Sequence, residues 1–175
     1  HVLSRVEWIV IDLVTCVGLI STNGLASTVP AVAMGFDYDT SRLQSSGEIL
    51  LWAEFRVGKG DVAVLRTTAR ASLHYRKATQ PLATPSAGCI FQNPRVGDIV
   101  PDGIPRSAGA LVDRAGLKGR RQGGARISDH HANFIVNDGG ARAADIRALI
   151  ELARQTVRDR FGVVLRDEVV YLGKF

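Results

Sequence analysis

The longest regular pattern in this 175-residue chain is a helical stripe near its C-terminal end. Apolar side chains recur there at intervals of three and four residues, at Ile146, Leu149, Ile150, Ala153, Val157 and Phe161. This spacing predicts a helix from about Arg142 to Arg160 that ends at Gly162. Because such a helix must bury its apolar face against another element, the pattern also requires a folded core.

Other segments carry strand patterns. Alternation of apolar and polar residues from Glu48 to Val57 predicts a strand with one buried face. The Asn23-Gly24 pair predicts a tight turn after the apolar segment Leu13 to Ile20, and a polar loop is expected from Asp37 to Ser46. Apolar and β-branched residues predict further short strands at 2–11, 121–128, 132–137 and 163–172.

Two more helices are predicted between these strands. Asp61 can cap a helix that runs to about Tyr75, and Ser107 can begin a short helix that Gly116 ends. A glycine- and proline-rich excursion is expected from Arg95 to Arg106. The mixed order of strands and helices predicts an α+β fold.

Composition narrows the class of partner. The 22 Lys+Arg residues exceed the 17 Asp+Glu residues, which favours an anionic partner such as nucleic acid or a nucleotide-sugar diphosphate. Aromatic residues are only 6% and are not interleaved with basic ones, so we expect no nucleic acid. No apolar run long enough to cross a membrane and no export signal is found, so we expect no membrane association. The spacing of Cys16 and Cys89 predicts neither a metal site nor a disulfide, which favours the cytoplasm.

The segment Pro85 to Pro94 is the strongest candidate for a functional site. Its prolines and glycine flank one thiol and an amide, which predicts a rigid turn that presents both groups to a ligand. A thiol can donate a proton, and an amide can both donate and accept hydrogen bonds. The alternative is that Cys89 is a buried, small apolar residue in a tight turn.

This segment resembles the S-A-G-S/C-x-F-x-N-P loop of the UDP-N-acetylenolpyruvoylglucosamine reductases. Further matches follow in the family's order: R-K-A-T-Q-P at 76–81, A-G-L-K-G at 115–119, G-G-A at 123–125, H-A-N-F-I-V-N at 131–137 and E-V at 168–169. The resemblance runs from about residue 2 to residue 172 and covers the family's second half. It implies that residues 1–70 are the trailing part of a FAD-binding domain and residues 71–175 a substrate-binding domain.

The resemblance also implies an activity. In this family NADPH reduces FAD, and FAD reduces UDP-N-acetylglucosamine enolpyruvate to UDP-N-acetylmuramate for peptidoglycan synthesis. By resemblance, Cys89 protonates the substrate carbon next to the hydride acceptor, and Glu168 stabilises or protonates the enol intermediate. Gln80, Asn93 and His131 correspond to substrate contacts. Solvated surface residues are the alternative for Glu168 and His131.

The chain departs from the family in three places. Tyr38-Asp39-Thr40-Ser41 stands where the family has Y-R-x-S, so the charge of an active-site arginine is reversed. Arg42 would point away from Asp39 in an extended chain and is not expected to replace that arginine. Gln92 replaces the commoner lysine of F-K-N-P. The G-G-G-S-N and P-G-x-x-G-G segments that hold the flavin diphosphate have no counterpart, so no FAD-binding residue is predicted.

Three interpretations remain open. The chain is part of a longer reductase, it works with a separate flavin-binding segment, or it is a decayed or repurposed remnant. A non-catalytic module that binds a nucleotide sugar is the alternative function. A cluster of basic residues can either attract phosphate or form a solvated surface, and it comprises Arg114, Lys118, Arg120, Arg121 and Arg126.

Overall fold

A computed structural model describes residues 10–37 and 40–173 of the chain. The chain divides into two compact units, His1–Ala69 and Arg70–Phe175. Antiparallel sheets and helices are both present, so the predicted α+β class is confirmed. The functional roles expected for residues 1–70 and 71–175 remain predictions. The strand predicted at 2–11 lies mostly outside the described residues, and Val10–Leu13 forms a 3₁₀ turn instead.

The first unit is built on a three-stranded antiparallel sheet in the order β2-β1-β3. The predicted turn at Asn23-Gly24 follows β1, and Gly24 adopts a φ of 82°, which glycine tolerates best. A 3₁₀ turn and the one-turn helix α1 follow β2, so the predicted loop is partly helical. The elements are β1 at Val14–Ile20, β2 at Ala26–Pro30, a 3₁₀ turn at Ala31–Met34, α1 at Leu43–Ser46 and β3 at Ile49–Phe55.

The burial of β3 differs from the prediction. The strand is present, but neither of its faces is buried: Ile49, Leu51 and Trp52 are 64%, 52% and 46% exposed. One reason is a register shift, because Leu19 lies opposite Leu50 while Gly18 lies opposite Trp52, which interrupts the alternation. The other reason is that the core of this unit is small, with buried side chains at Val17, Leu19 and Met34.

Helix α2 spans Val62–Thr79 and contains the boundary between the two units. Asp61 caps it as predicted, because its Oδ1 accepts a hydrogen bond from the Val64 N–H at 2.9 Å. The helix continues past the predicted end at Tyr75. Its apolar stripe remains exposed, and none of its residues is buried.

The second unit is built on a four-stranded antiparallel sheet in the order β4-β7-β6-β5. The strand predicted at 121–128 is split, because Gly123 and Gly124 form the turn of a β5-β6 hairpin. A Cβ atom at Gly124 would lie 2.2 Å from the Gly139 carbonyl oxygen, so this close approach requires glycine. The strands are β4 at Ser86–Cys89, β5 at Arg121–Gln122, β6 at Ala125–Ile127 and β7 at Phe134–Asn137.

Two helices complete the core of this unit, and both were predicted. Helix α3 spans Ala108–Arg114 and begins at Ser107, whose Oγ accepts a hydrogen bond from the Ala110 N–H. Helix α4 spans Ala143–Phe161 and ends at Gly162, which adopts a φ of 69°. The predicted stripe of α4 packs in the same core as sheet residues, and this core includes Leu149, Ile150, Ala153, Val157, Ala125, Ile127 and Ile135.

The C-terminal segment is not the strand that was predicted at 163–172. Val163 and Leu165 are buried in the core, and only Asp167 forms a bridge, with Phe91. The excursion at 95–106 has no regular element, as expected. It is tied down where Asp98 Oδ2 accepts a hydrogen bond from Arg166 Nη2 at 2.7 Å.

Candidate functional site

The segment Pro85 to Pro94 is a strand that leads into a bridge rather than a rigid turn. Ser86–Cys89 forms strand β4, and Cys89 lies opposite Phe134 of β7. Phe91 then pairs with Asp167, because the backbone groups of this stretch find partners on two neighbouring segments of the same chain. The prolines and glycine of this segment therefore flank a short edge strand of the second sheet and not an isolated loop.

Cys89 and Glu168 are brought together by the backbone. The Glu168 N–H donates to the Ile90 carbonyl at 2.8 Å, and the Gln92 N–H donates to the Arg166 carbonyl at 2.9 Å. Cys89 is half-buried and Glu168 is exposed. The two predicted catalytic residues thus lie on adjacent segments. Cys89 precedes Ile90 in the chain, and the Glu168 backbone is hydrogen-bonded to Ile90.

Asn93 and His131 both lie at the start of α3. The Ala108 N–H donates to Asn93 Oδ1 at 3.0 Å. A Cβ atom at Gly109 would lie 2.8 Å from His131 Cε1, so the His131 ring packs directly on the first turn of the helix. Its edge also meets the Phe134 ring, with 5.0 Å between centroids. Asn93 and His131 therefore flank the same helix end beside the Cys89 strand.

The environment of His131 favours the neutral imidazole. Burial lowers the pKa of His131, and the positive charge of Lys118 lowers this pKa further. The Nδ1 atom accepts a hydrogen bond from the Asn133 N–H at 3.2 Å, which places the ring proton on Nε2. His131 can therefore offer a neutral N–H donor to a ligand.

Gln80 lies in a separate feature, a cleft of about 560 Å³. His130, not His131, lines this cleft beside it, together with Lys77 and Arg126. The Gln80 Oε1 atom accepts a hydrogen bond from Arg76 Nε at 3.3 Å. The cleft offers an amide and a cation to a polar ligand, and its wall also includes the buried apolar residue Val136.

Much of the predicted basic cluster is paired with aspartates. Lys118 contacts Asp113 at 2.7 Å, Arg121 contacts Asp138 at 2.9 Å, and Arg126 contacts both Asp138 and Asp129. The hydrogen bond from Arg126 also lowers the pKa of Asp138. These aspartates neutralise the cations locally, so the cluster is a weaker attractor for phosphate than its sequence indicates.

Asn133 is a site residue that the sequence reasoning did not single out. It is 3% exposed, and its side chain forms two hydrogen bonds with the backbone of Phe91. Its position inside the apolar run Ala132 to Val136 was the available signal, because a buried amide requires partners.

Arg154 of α4 is a second residue that sequence reasoning missed. Its guanidinium contacts the Asp167 carboxylate next to Glu168, and it lies 6.0 Å from the centroid of the Phe91 ring. Partial burial opposes its charge, but the carboxylates of Glu151 and Asp167 outweigh burial and raise the pKa of Arg154. Tyr171 adds a hydroxyl that donates to Asp167 Oδ2 at 3.2 Å.

The described residues do not fit FAD on their own. A flavin diphosphate needs a run of backbone N–H donors, as glycine-rich segments supply. The left-handed glycines of the first unit, Gly24, Gly35 and Gly47, lie in separate turns, and the Gly24 N–H already donates to Ser21. Arg42 is held by Glu48 through two hydrogen bonds, and Asp39 lies outside the described residues.

Three other absences apply to the part of the chain that the structure describes. It contains no group of three or more His, Cys, Asp or Glu side chains arranged to hold a metal ion. None of its helices has the length and apolar character needed to cross a bilayer. No disulfide joins Cys16 to Cys89.

Known proteins similar to this chain share one activity name. Residues 80–172 match the model of the UDP-N-acetylenolpyruvoylglucosamine reductase C-terminal domain. The chain is 44% identical over 164 residues to UDP-N-acetylenolpyruvoylglucosamine reductase of Anaeromyxobacter dehalogenans, covering 94% of this chain and 46% of that protein. It is 39% identical over 165 residues to the reductase of Trichormus variabilis, covering 94% of the chain and 47% of that relative.

A solved structure supports the same assignment. The crystal structure of UDP-N-acetylenolpyruvylglucosamine reductase from Thermus caldophilus superposes with a TM-score of 0.70 at 33% identity, covering 90% of this chain and 53% of that one. The chain thus spans about half the length of the relatives it matches. The chain belongs to the UDP-N-acetylenolpyruvoylglucosamine reductase family, and its residues 80–172 are the C-terminal domain of that family.

Proposed function

We propose that this chain is the substrate-binding and proton-donating half of a reductase that converts UDP-N-acetylglucosamine enolpyruvate to UDP-N-acetylmuramate. The observation that carries the proposal is the 2.8 Å hydrogen bond from Glu168 to Ile90. It brings the backbone of Glu168 to the residue that follows Cys89, which supports a shared role for the thiol and the carboxylate as proton donors. The family membership supplies the substrate class.

The roles of Cys89 and Glu168 follow from the chemistry of the double bond. When a hydride adds to one carbon of the enolpyruvyl group, the neighbouring carbon must take a proton. The Cys89 thiol gives that proton and becomes a thiolate, which water reprotonates after turnover. Glu168 stabilises or protonates the enol form from the adjacent segment.

Three further residues are proposed to bind the substrate. His131 offers the Nε2–H donor of a neutral imidazole beside the Cys89 strand. Asn93 offers its amide N–H groups, since its oxygen is held by Ala108. Gln80 lies in the cleft with Lys77, a cation that suits a diphosphate.

A second component is proposed to hold FAD, because residues 10–37 and 40–173 offer no diphosphate cradle. The flavin, reduced by NADPH, supplies the hydride when it is bound there. Leu51 and Phe55 of β3 are each about half exposed, which supports this strand as a docking surface for that flavin-binding segment. The reduced thiols and the nucleotide-linked substrate agree with a cytoplasmic location.

Reconstitution tests this proposal. The chain is mixed with FAD and the N-terminal half of the Anaeromyxobacter dehalogenans relative, and NADPH oxidation is followed with the enolpyruvyl substrate. We expect turnover only when both halves are present, and Cys89→Ala should lower kcat by about 10²- to 10⁴-fold. Cys16→Ala is the matched control and should keep the rate of the parent chain. Full activity of Cys89→Ala would refute the assigned proton donor.

The second candidate is a non-catalytic module that binds the nucleotide sugar. The absence of a flavin cradle among the described residues of the first unit favours this candidate. Calorimetric titration of the chain with the enolpyruvyl UDP-sugar, with Asn93→Ala alongside, measures binding without turnover. Binding that Asn93→Ala weakens, combined with no NADPH oxidation in any reconstitution, would establish the module instead of the reductase.

A further inference from the structure

The Phe91 backbone lies between two neighbouring segments of the second unit. On one side it faces Asp167, and the hydrogen bonds of this bridge come from the flanking residues Ile90 and Gln92. In an antiparallel ladder this is the non-hydrogen-bonded type of pair, so the N–H and C=O of Phe91 point to the other side. Those two groups need partners there, because Phe91 is 2% exposed.

Asn133 supplies both partners with one side chain. The Phe91 N–H donates to Asn133 Oδ1 at 3.0 Å, and Asn133 Nδ2 donates to the Phe91 carbonyl at 2.8 Å. The Ile90 N–H also donates to the Asn133 carbonyl at 2.9 Å. The Asn133 side-chain amide therefore supplies the acceptor and the donor that the backbone of a neighbouring strand would supply to Phe91.

We propose that Asn133 is a positioning residue that sets the place of Cys89 relative to Glu168. The hydrogen bonds of Ile90 link Asn133 on one side to Glu168 on the other, through the residue that follows Cys89. The Asn133 N–H also holds His131 Nδ1 at 3.2 Å. Through its side-chain amide and its backbone, Asn133 thus contacts the segments that carry Cys89, Glu168 and His131, and the proposal rests on the roles given to these residues above.

The two hydrogen bonds between the Asn133 side chain and the Phe91 backbone are called the clamp. Asn133→Asp tests the bond in which Asn133 is the donor. A carboxylate accepts from the Phe91 N–H but cannot donate to the Phe91 carbonyl, so two acceptors face each other. A protonated carboxyl restores the donor. Because burial and the facing carbonyl both disfavour the charged form, the pKa of the introduced carboxyl should lie above its ordinary value. The variant should behave like the parent in acid and differ from it at neutral pH.

Asn137→Asp is the matched control. The Asn137 Oδ1 atom accepts hydrogen bonds from the Gly139 and Ala141 N–H groups, at 2.9 and 3.1 Å. A carboxylate serves these two donors as well as an amide does. The same chemical change is therefore expected to leave the Cys89 environment unchanged at every pH.

The measurement is the reactivity of the Cys89 thiol in a Cys16→Ser background, with 4,4′-dithiodipyridine as the probe because it reacts in acid and at neutral pH. We expect the rate constant for reaction of the Cys89 thiol in Asn133→Asp to differ from that of the parent by about tenfold near pH 7.5. The difference should shrink to about twofold or less near pH 5. Asn137→Asp should follow the parent throughout. Equal reactivity of the two Asp variants at both pH values would overturn the proposal.

Hydrogen exchange on the unsubstituted chain keeps the proposal testable if Asn133→Asp fails to fold. The amides of Ile90, Phe91 and Glu168 should be among the slowly exchanging ones, and fast exchange of the Phe91 amide would overturn the clamp. The thiol readout needs no turnover, so failure of the clamp is distinct from failure of the proposed reductase. If only the proposed reductase function fails, Cys89→Ala keeps the full reconstituted activity, and the thiol of Asn133→Asp still shows the expected pH-dependent reactivity.

Discussion

The two sheets of this chain are built alike but differ in what covers them. In the second unit, Ala125, Ile127 and Ile135 are at most 4% exposed, and they share a core with residues of α3 and α4. In the first unit, β3 leaves Ile49 and Leu51 more than half exposed. An apolar strand therefore shows only that a covering surface is needed, whereas the elements available to the fold decide whether it is covered.

The two long helices repeat this contrast. Helix α2 has 18 residues and buries none of them, while α4 has 19 residues and buries Leu149, Ile150, Ala153 and Val157. Both sequences carry an apolar stripe at helical spacing. The second unit thus has the larger core, and the exposed surfaces of β3 and α2 are where a partner's contribution to stability should be sought.

The largest expected effect is on the core of the second unit. Leu149→Ala should lower the free energy of unfolding by about 3 kcal/mol, because a buried leucine leaves a cavity. Leu65→Ala in α2 is the matched control, since Leu65 is 58% exposed, and should change it by about 0.5 kcal/mol or less. Urea unfolding followed by circular dichroism at 222 nm measures both. An equal loss from the two variants would remove the contrast between the helices.

Tryptophan fluorescence sharpens this comparison. Trp8 and Trp52 are the tryptophans of the chain, and both belong to the first unit. We expect the Leu149→Ala transition by circular dichroism to move to lower urea while the fluorescence transition stays in place. Coincident shifts of both signals would instead show that the two units unfold together.

A smaller effect is expected at the ion pair beside Glu168. Arg154→Met removes the guanidinium partner of Asp167 and should cost about 1 kcal/mol, because both side chains are about one-quarter exposed. Replacing Asp167 by proline as well removes the carboxylate that has lost its guanidinium partner. Since Asp167 and Phe91 form a non-hydrogen-bonded pair, proline keeps both flanking hydrogen bonds. Arg154→Met/Asp167→Pro should therefore recover stability, and a further loss in urea unfolding would contradict this account.

The pH dependence of stability tests the environment of His131. Its pKa in the folded chain lies below its ordinary value, so between about pH 6.5 and that lower pKa the unfolded chain binds the proton more readily. Stability should fall as the pH decreases through this window and should not change from this source above it. His131→Gln should flatten the dependence in urea titrations, while His130→Gln, at an exposed position, should leave it in place.

The smallest effect on stability is expected at the exposed edge of the first unit. Leu51→Lys should change the free energy of unfolding by about 0.5 kcal/mol or less, because Leu51 is 52% exposed. It should nevertheless reduce the fluorescence of a bound apolar dye and weaken assembly with the flavin-binding half. Unchanged dye binding and assembly would show that β3 is not the docking surface.

Local patterns predicted the elements whose ends depend on nearby residues. Gly162 after α4, Ser107 before α3 and the Asn23-Gly24 turn are each where the sequence placed them, because caps and turns are determined over a few residues. The C-terminal strand was wrong because burial of Val163 and Leu165 in a helix-covered core cannot be distinguished from strand pairing by apolar composition alone. The burial predicted for β3 was wrong for a related reason, because the alternation of apolar residues predicts a strand but does not show that another element covers it.

The amino-acid sequence by itself determined the family and the α+β class, since motifs and periodicities are carried by short stretches of chain, and it supplied the residues proposed for the reaction. Only the tertiary structure decided that Glu168 meets Ile90, that Asn93 and His131 share one end of α3, and that Gln80 lies in a separate cleft. It also revealed Asn133, whose two side-chain hydrogen bonds join residues 42 positions apart. Such bonds depend on backbone groups left over by strand pairing, and no local pattern in the sequence records them.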